Sequence, residues 1–166
     1  MLWEGPTVEP TVYVETSIVS YLAARPSRDL VTAAHQQVTA EWWTSRRKAF
    51  SLHVSELVVQ EAADGDADAA ERRLSLLAGI PVLAATAEAL ELAKAFVDNR
   101  IVPTSAEADA LHIAIAATSG IEYLLTWNCR HIANAQIRAR IERFARLRGL
   151  EPPILCTPDE LMEIAE

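Results

Sequence analysis

Apolar and polar positions alternate with two different periods along this chain, and the changes of period divide it into strands and helices. Thr11 to Val14 is a β-branched and aromatic run that reads as a strand stopping at Glu15. Thr16 and Ser17 are candidate caps for a short helix from Ile18 to Ala24, ended by Pro26. Ser27 is expected to cap a long helix through about Phe50, because Val31, Ala34, Val38 and Trp42 recur at helical spacing. Trp42 is then a core residue. Phe50 to Val54 predicts a second strand. Ser55 opens a helix that carries Glu61 and ends near Gly65. Asp68 to Ala78 predicts another, terminated by Gly79-Ile80-Pro81.

The second half repeats the alternation. Val82 to Ala84 reads as a third strand, and Thr86 caps a helix to about Asn99. Ser105 is expected to cap the helix that carries Asp109 and ends at Gly120. Glu122 to Thr126 predicts a fourth strand, and Ile132 to Leu147 an arginine-rich helix closed by Gly149. Ile154 to Cys156 is the last strand. Thr157-Pro158-Asp159-Glu160 has the form of a capping box with proline at the first helical position. Strands alternating with helices imply an α/β sandwich with a mostly parallel sheet. At 166 residues the expectation is one domain over 11–166, preceded by an N-terminal arm over 1–10.

Composition narrows the class. Residues are 51% hydrophobic and 23% charged, an ordinary globular mixture, and no apolar run is long enough to span a membrane. MLWEGPTVEP lacks the basic and apolar regions of a signal peptide, so a cytoplasmic protein without a membrane partner is expected. Cys129 and Cys156 make no disulfide framework. Cys129-Arg130-His131 lacks the second Cys/His pair of a zinc site.

The net charge of −8 argues against broad nucleic-acid binding, but its distribution is uneven. Glu61, Asp64, Asp66, Asp68 and Glu71 form an acidic stretch. Arg130, Arg138, Arg140, Arg143, Arg146 and Arg148 crowd one segment, and Arg46-Arg47-Lys48 form a second cluster. These are either solvated helix faces or a phosphate-contacting rim around an acidic pocket.

The five glycines form no phosphate-cradling loop after a strand, and no G-x-S-x-G elbow is present. What remains is a set of acids on different elements. Glu15 sits where a strand hands over to a helix, which in open α/β sheets is the ligand crevice. Each acid also has a plain structural reading: Glu15 as a turn acid, Asp109 as a favourable charge at a helix start. Glu56 and Glu107 read as first-turn caps or surface. His112 shares the face of Asp109 and reads as a hydrogen-bonded core histidine. His53 and His131 show no partner pattern. Trp127 is either a base-stacking platform or a half-buried strand-end aromatic. Asn134 either lines the pocket or caps the arginine-rich helix.

Four short stretches, taken in order, resemble the PIN-domain family, specifically its VapC-type toxins. Tyr13-Val14-Glu15-Thr16-Ser17 resembles the family's opening V-D-T-S/N. Ser55, Glu61 and Gly65 match its S-x5-E-x3-G helix. Ala108 to Ala114 matches D-A-x-I/H-A, and Leu124 to Asn128 matches the strand-end L-V-T-x-D. The resemblance spans nearly the whole chain. It implies a three-layer α/β/α sandwich with its acids meeting at one end of the sheet. It implies metal-dependent hydrolysis of RNA with Mg²⁺ or Mn²⁺, a homodimer, and a small antitoxin partner. Carried over residue by residue, it implies Glu15, Glu61 and Asp109 as metal ligands and Asn128 as an assisting polar residue. Thr16, Ser17 and Thr126 would orient carboxylates or water behind them. Arg46, Arg47, Arg138, Arg140 and Arg143 are the candidate RNA contacts. Glu15 and Asn128 each stand where the family carries Asp. The first keeps the charge one methylene further out; the second removes it. The rival reading is a catalytically weak PIN-like module that binds RNA or protein. A receiver-like phospho-acceptor domain is a third, without the lysine or paired acids it needs.

Overall fold

The computed structural model describes residues 8–164. Of the expected N-terminal arm, residues 1–7 lie outside that range. Five strands form one all-parallel sheet: β1 (Thr11–Val14), β2 (Ser51–Ser55), β3 (Val82–Leu83), β4 (Tyr123–Leu125) and β5 (Ile154–Cys156). Their order is β3-β2-β1-β4-β5, so β1 is central. Tyr13 pairs with His53 on one side and Leu124 on the other.

Parallel neighbours need long crossovers, and helices supply them. These are α1 (Thr16–Ala23), α2 (Leu30–Glu41), α3 (Glu56–Ala62), α4 (Ala67–Leu77), α5 (Ala87–Asp98), α6 (Glu107–Thr118) and α7 (Ala135–Leu147). Successive strand residues point to opposite faces, yet Val12, Tyr13 and Val14 are all fully buried. Helices therefore cover both faces, which gives the three-layer α/β/α arrangement. Burying a Val or Leu side chain contributes about 1.5–3 kcal/mol, so this central strand alone anchors several kcal/mol of core.

Three predicted helices differ at their ends. The long helix expected from Ser27 is capped by Asp29, whose carboxylate accepts from Thr32 N–H. It ends at Glu41, passes through a π turn at Trp42–Arg46, and finishes in a 3₁₀ turn at Arg47–Ala49. Thr44 and Ser45 hydroxyls donate to the Glu41 carbonyl, the back-bonding that loosens a helix. Of the expected apolar stripe Trp42 alone is fully buried, while Val31 is 64% exposed. The arginine-rich helix starts later than predicted, because Asn134 is its cap and accepts from Gln136 and Ile137 N–H. The helix carrying Asp109 starts from a 3₁₀ turn at Thr104–Ala106 and has no side-chain cap. The capping box at Thr157 and Glu160 is present, on a 3₁₀ turn, Pro158–Leu161. Among the described residues no helix is long and apolar enough to cross a membrane.

Candidate active site

The chain runs outward from β1 to β2 and β3, then crosses back to β4 on the other side of β1, and this reversal opens a crevice at the carboxyl ends of β1 and β4. Glu15 follows β1 and Thr126 follows β4, so both sit in that crevice. The Glu15 backbone N–H donates to Leu125 O at 3.0 Å, which extends the β1–β4 ladder up to the site. Glu15 is itself the N-cap of α1, in place of the expected Thr16 or Ser17. Its Oε2 accepts from Ser17 N–H at 3.0 Å, from the Ser17 hydroxyl and from the Thr126 hydroxyl at 2.8 Å. Glu15 is only 6% exposed, so these donors fix a nearly buried carboxylate. Its other oxygen, Oε1, has no donor among the described residues and lies 4.0 Å from His112 Nε2.

Glu61 reaches the same point from the last turn of α3. Its Oε1 accepts from the Thr16 hydroxyl at 2.6 Å and meets His112 Nε2 at 2.7 Å. Burial pushes the Glu61 carboxyl up, but the hydrogen bond and electrostatic attraction of His112, with the hydrogen bond from Thr16, outweigh it and hold it below the usual glutamate value. Ligand atoms of Glu15, Glu61 and His112 lie within 4.8 Å of one another.

Behind His112 runs a buried chain that the sequence reading missed. His112 Nδ1 meets the Tyr13 hydroxyl at 2.7 Å, and that hydroxyl meets Ser55 Oγ at 2.7 Å. Ser55 Oγ accepts from Val58 N–H as the cap of α3. One proton order satisfies every member: Ser55 donates to Tyr13, Tyr13 to His112 Nδ1, and His112 Nε2–H to Glu61. The reverse order leaves the Ser55 hydrogen without an acceptor. His112 is thus the hydrogen-bonded core histidine that the sequence suggested, and it also orients Glu61. A signal for Tyr13 was present: it sits two residues before Glu15 and shares its face of the strand. Burial pushes the Tyr13 hydroxyl far above its ordinary value, which keeps it a neutral link.

Asp109, in the first turn of α6, lies outside the three-residue group. Its Oδ1 accepts from Asn128 Nδ2–H at 2.9 Å, and its Oδ2 meets His131 Nδ1 at 3.1 Å. Asn128 N–H donates to the Thr126 hydroxyl at 2.9 Å, so Asp109 is tied to Glu15 through Asn128 and Thr126. His131, for which the sequence gave no partner, is thus part of the Asp109 arrangement. Thr16, Ser17 and Thr126 all touch a site carboxylate. Trp127 is half-buried, stacks on His35 with centroids 4.0 Å apart and donates its ring N–H to Thr39 at 2.6 Å.

The candidate RNA contacts are spread out. The Arg47 guanidinium lies 4.0 Å from the Trp43 ring centroid, and that of Arg46 5.8 Å from Phe50's. Arg138 pairs with Glu160 at 3.3 Å. Arg140 and Arg143 are exposed and have no ion pair among the described residues.

Two carboxylates about 5 Å apart repel by roughly 3 kcal/mol at an effective dielectric of about 20. A hard cation would offset that repulsion, and the donor set suits one. Glu15 Oε1 and Glu61 Oε2 accept no hydrogen bond from the described residues, whereas His112 Nε2 is already committed as a donor. The set therefore offers oxygen rather than nitrogen, as Mg²⁺ and Mn²⁺ prefer.

No family model and no curated protein matches the sequence. Solved structures do match in fold. A chain of VapBC2 from Rickettsia felis, bound to a DNA fragment from its promoter, aligns with a TM-score of 0.56 at 14% identity. That alignment covers 89% of this chain and 98% of the other. VapC20 of Mycobacterium tuberculosis, a Sarcin-Ricin loop cleaving toxin, aligns with a TM-score of 0.57 at 18% identity, over 72% and 91% of the two chains. The chain has the PIN fold, the α/β/α architecture of the VapC proteins.

Proposed function

We propose that this protein is a metal-dependent endoribonuclease acting as the toxin of a toxin–antitoxin pair. The observation that carries the reading is the nearly buried Glu15 carboxylate, gripped on one oxygen and presenting the other beside Glu61 at the end of the central strand. Glu15, Glu61 and Asp109 would hold Mg²⁺ or Mn²⁺, with Asp109 reached through Asn128. The bound cation would lower the pKa of a water and offset charge on the leaving oxygen. Thr126 and Ser17 keep Glu15 fixed, and Thr16 and His112 keep Glu61 ionised and oriented. Asn128 aims Asp109 and cannot itself take a proton. Arg46, Arg47, Arg138, Arg140 and Arg143 are assigned to phosphate contacts away from the reacting atoms. The resemblance to VapC-type toxins implies a small antitoxin partner, a homodimer and a cytoplasmic location, and we extend these to this chain.

The test follows cleavage of a mixed RNA pool while Mn²⁺ is titrated calorimetrically, for the wild type, Asp109→Asn and Asn128→Asp. Cleavage that needs Mn²⁺ and disappears in Asp109→Asn supports the nuclease. If the wild type and Asn128→Asp both fail to bind metal and to cut, the non-catalytic binding module is the better reading.

A further inference from the structure

A groove of about 490 Å³ is lined by segments that run along the chain into the residues around Asp109. One wall is the segment from Arg100 to Thr104, which runs directly into the turn before α6 and hence into Asp109. The other is Arg130 with the first turns of α7, including Asn134, Gln136 and Arg140. Arg130 stands between Asn128 and His131, the two residues that hold Asp109. Both walls are therefore joined along the chain to segments that carry site residues.

The groove is lined by three arginines and no acid. Arg100, Arg130 and Arg140 are exposed, and none makes an ion pair among the described residues. Arg138 and Arg146 on the same helix are neutralised by Glu160 and by Glu142 and Glu151. Three uncompensated cations gathered in one groove are notable on a chain of net charge −8. The N-terminal dipole of α7 adds to the same positive potential.

Arg100 carries an independent mark. The described residues with left-handed backbone are Gly65, Gly79, Gly120, Gly149 and Arg100, and each follows a helix. At φ 54 Arg100 closes α5, with its own N–H on Val97 O at 2.9 Å and Ile101 N–H on Phe96 O at 2.8 Å. Glycine is the residue suited to that position, because an L side chain is strained there. Four helix ends use glycine; the one on the groove carries a cation. Strain retained at a lining residue points to a ligand.

We propose that this groove is a phosphate-binding channel for the RNA strand, with Arg100, Arg130 and Arg140 contacting phosphodiester oxygens. Its identity as an RNA channel rests on the nuclease reading, but binding can be measured without cleavage. Guanidinium groups suit it because their planar fork matches two phosphate oxygens at once.

The experiment is binding of a labelled single-stranded RNA of mixed sequence, in EDTA, over a range of potassium chloride. It compares the wild type, Arg100→Gly, the double variant Arg130→Gln/Arg140→Gln, and Arg146→Gln. Each lost phosphate contact should reduce the slope of log K against log salt by about 0.7, which is about a fivefold loss of affinity at ~0.1 M salt relative to ~1 M. Arg100→Gly should lose that affinity while melting at the same temperature as the wild type or higher, since glycine relaxes the backbone. Arg146→Gln should leave the slope unchanged. Wild-type slopes in both groove variants, or a wild type that does not bind RNA, would overturn the channel. Variants that keep the RNA slope but lose binding of polyglutamate would overturn it in favour of an acidic protein segment. Arginine-dependent binding without cleavage on adding Mn²⁺ would leave the channel standing and remove the nuclease reading. Cleavage with unchanged slopes would do the reverse.

Discussion

Asn128 donates its side-chain N–H to Asp109 Oδ1 at 2.9 Å, while its own Oδ1 accepts His131 N–H at 2.9 Å. The amide is used at both ends. An aspartate at this position could still accept from His131 but would set a second carboxylate oxygen against Asp109. Losing this part-buried hydrogen bond costs on the order of 1 kcal/mol before the added repulsion, and each kcal/mol shifts the melting point of a domain this size by about 2–4 °C. Asn128→Asp should therefore melt several degrees below the wild type in EDTA, and Mn²⁺ should restore the difference and bind more tightly. Melting curves with and without Mn²⁺ check this. A variant indifferent to Mn²⁺ would show that the two positions share no cation.

Glu15→Gln keeps an oxygen for Ser17 and Thr126 but removes the charge facing Glu61. Relief of a repulsion of up to roughly 3 kcal/mol should hold the metal-free melting point at or above the wild-type value. The heat of Mn²⁺ binding should disappear in the same variant. Undiminished binding would move the cation away from Glu15.

Tyr13→Phe removes the hydroxyl that joins Ser55 to His112 and strands two buried polar groups. The expected loss is about 1–3 kcal/mol in urea denaturation, and Mn²⁺ affinity should fall as Glu61 loses its fixed partner. A neutral effect on both would mean that the chain from Ser55 to Glu61 does not position the carboxylate.

Glu61 gives a pH signature. Its carboxyl is held below the ordinary glutamate value, the net result of burial opposed by the hydrogen bond and electrostatic attraction of His112 and the hydrogen bond from Thr16. The folded chain therefore prefers the ionised form. That preference contributes stability above the unfolded pKa of about 4.3 and loses it as pH falls through the lower folded value. Urea midpoints of the wild type and Glu61→Gln without metal should differ at neutral pH and converge in acid. A gap that widens on acidification would reverse the sign of the shift.

The alternation of elements made the fold legible, because β1 and β4 are short apolar runs and most helices carry a recognisable start or stop. Asp29 in place of Ser27, and the π turn at Trp42, were hidden because two cap-forming residues two positions apart compete for one cap and periodicity does not register a widened turn. In the site, Glu15 was marked by its place at a strand end and Glu61 by the family-like spacing of Ser55, Glu61 and Gly65. Tyr13, Ser55 and His131 act through partners up to 99 positions away, as Tyr13 does with His112. Such pairing depends on how the layers stack, which no local window contains. Arg100 was invisible for another reason: a positive φ on a non-glycine residue leaves no mark in the composition.

The bond from Thr126 to Glu15 spans 111 positions. During synthesis the strand bearing Glu15 is made early, but the hydroxyl that grips its carboxylate is added much later. At about 5–20 residues per second the interval is on the order of ten seconds. Until then the neighbour β4 is also missing, so β1 has one open edge and the Glu15 carboxylate has only its local partner Ser17. A nascent or prematurely terminated chain therefore lacks the completed Glu15 arrangement up to that point, and the crevice at the end of β1 takes its final geometry only once the segment carrying Thr126 has been made.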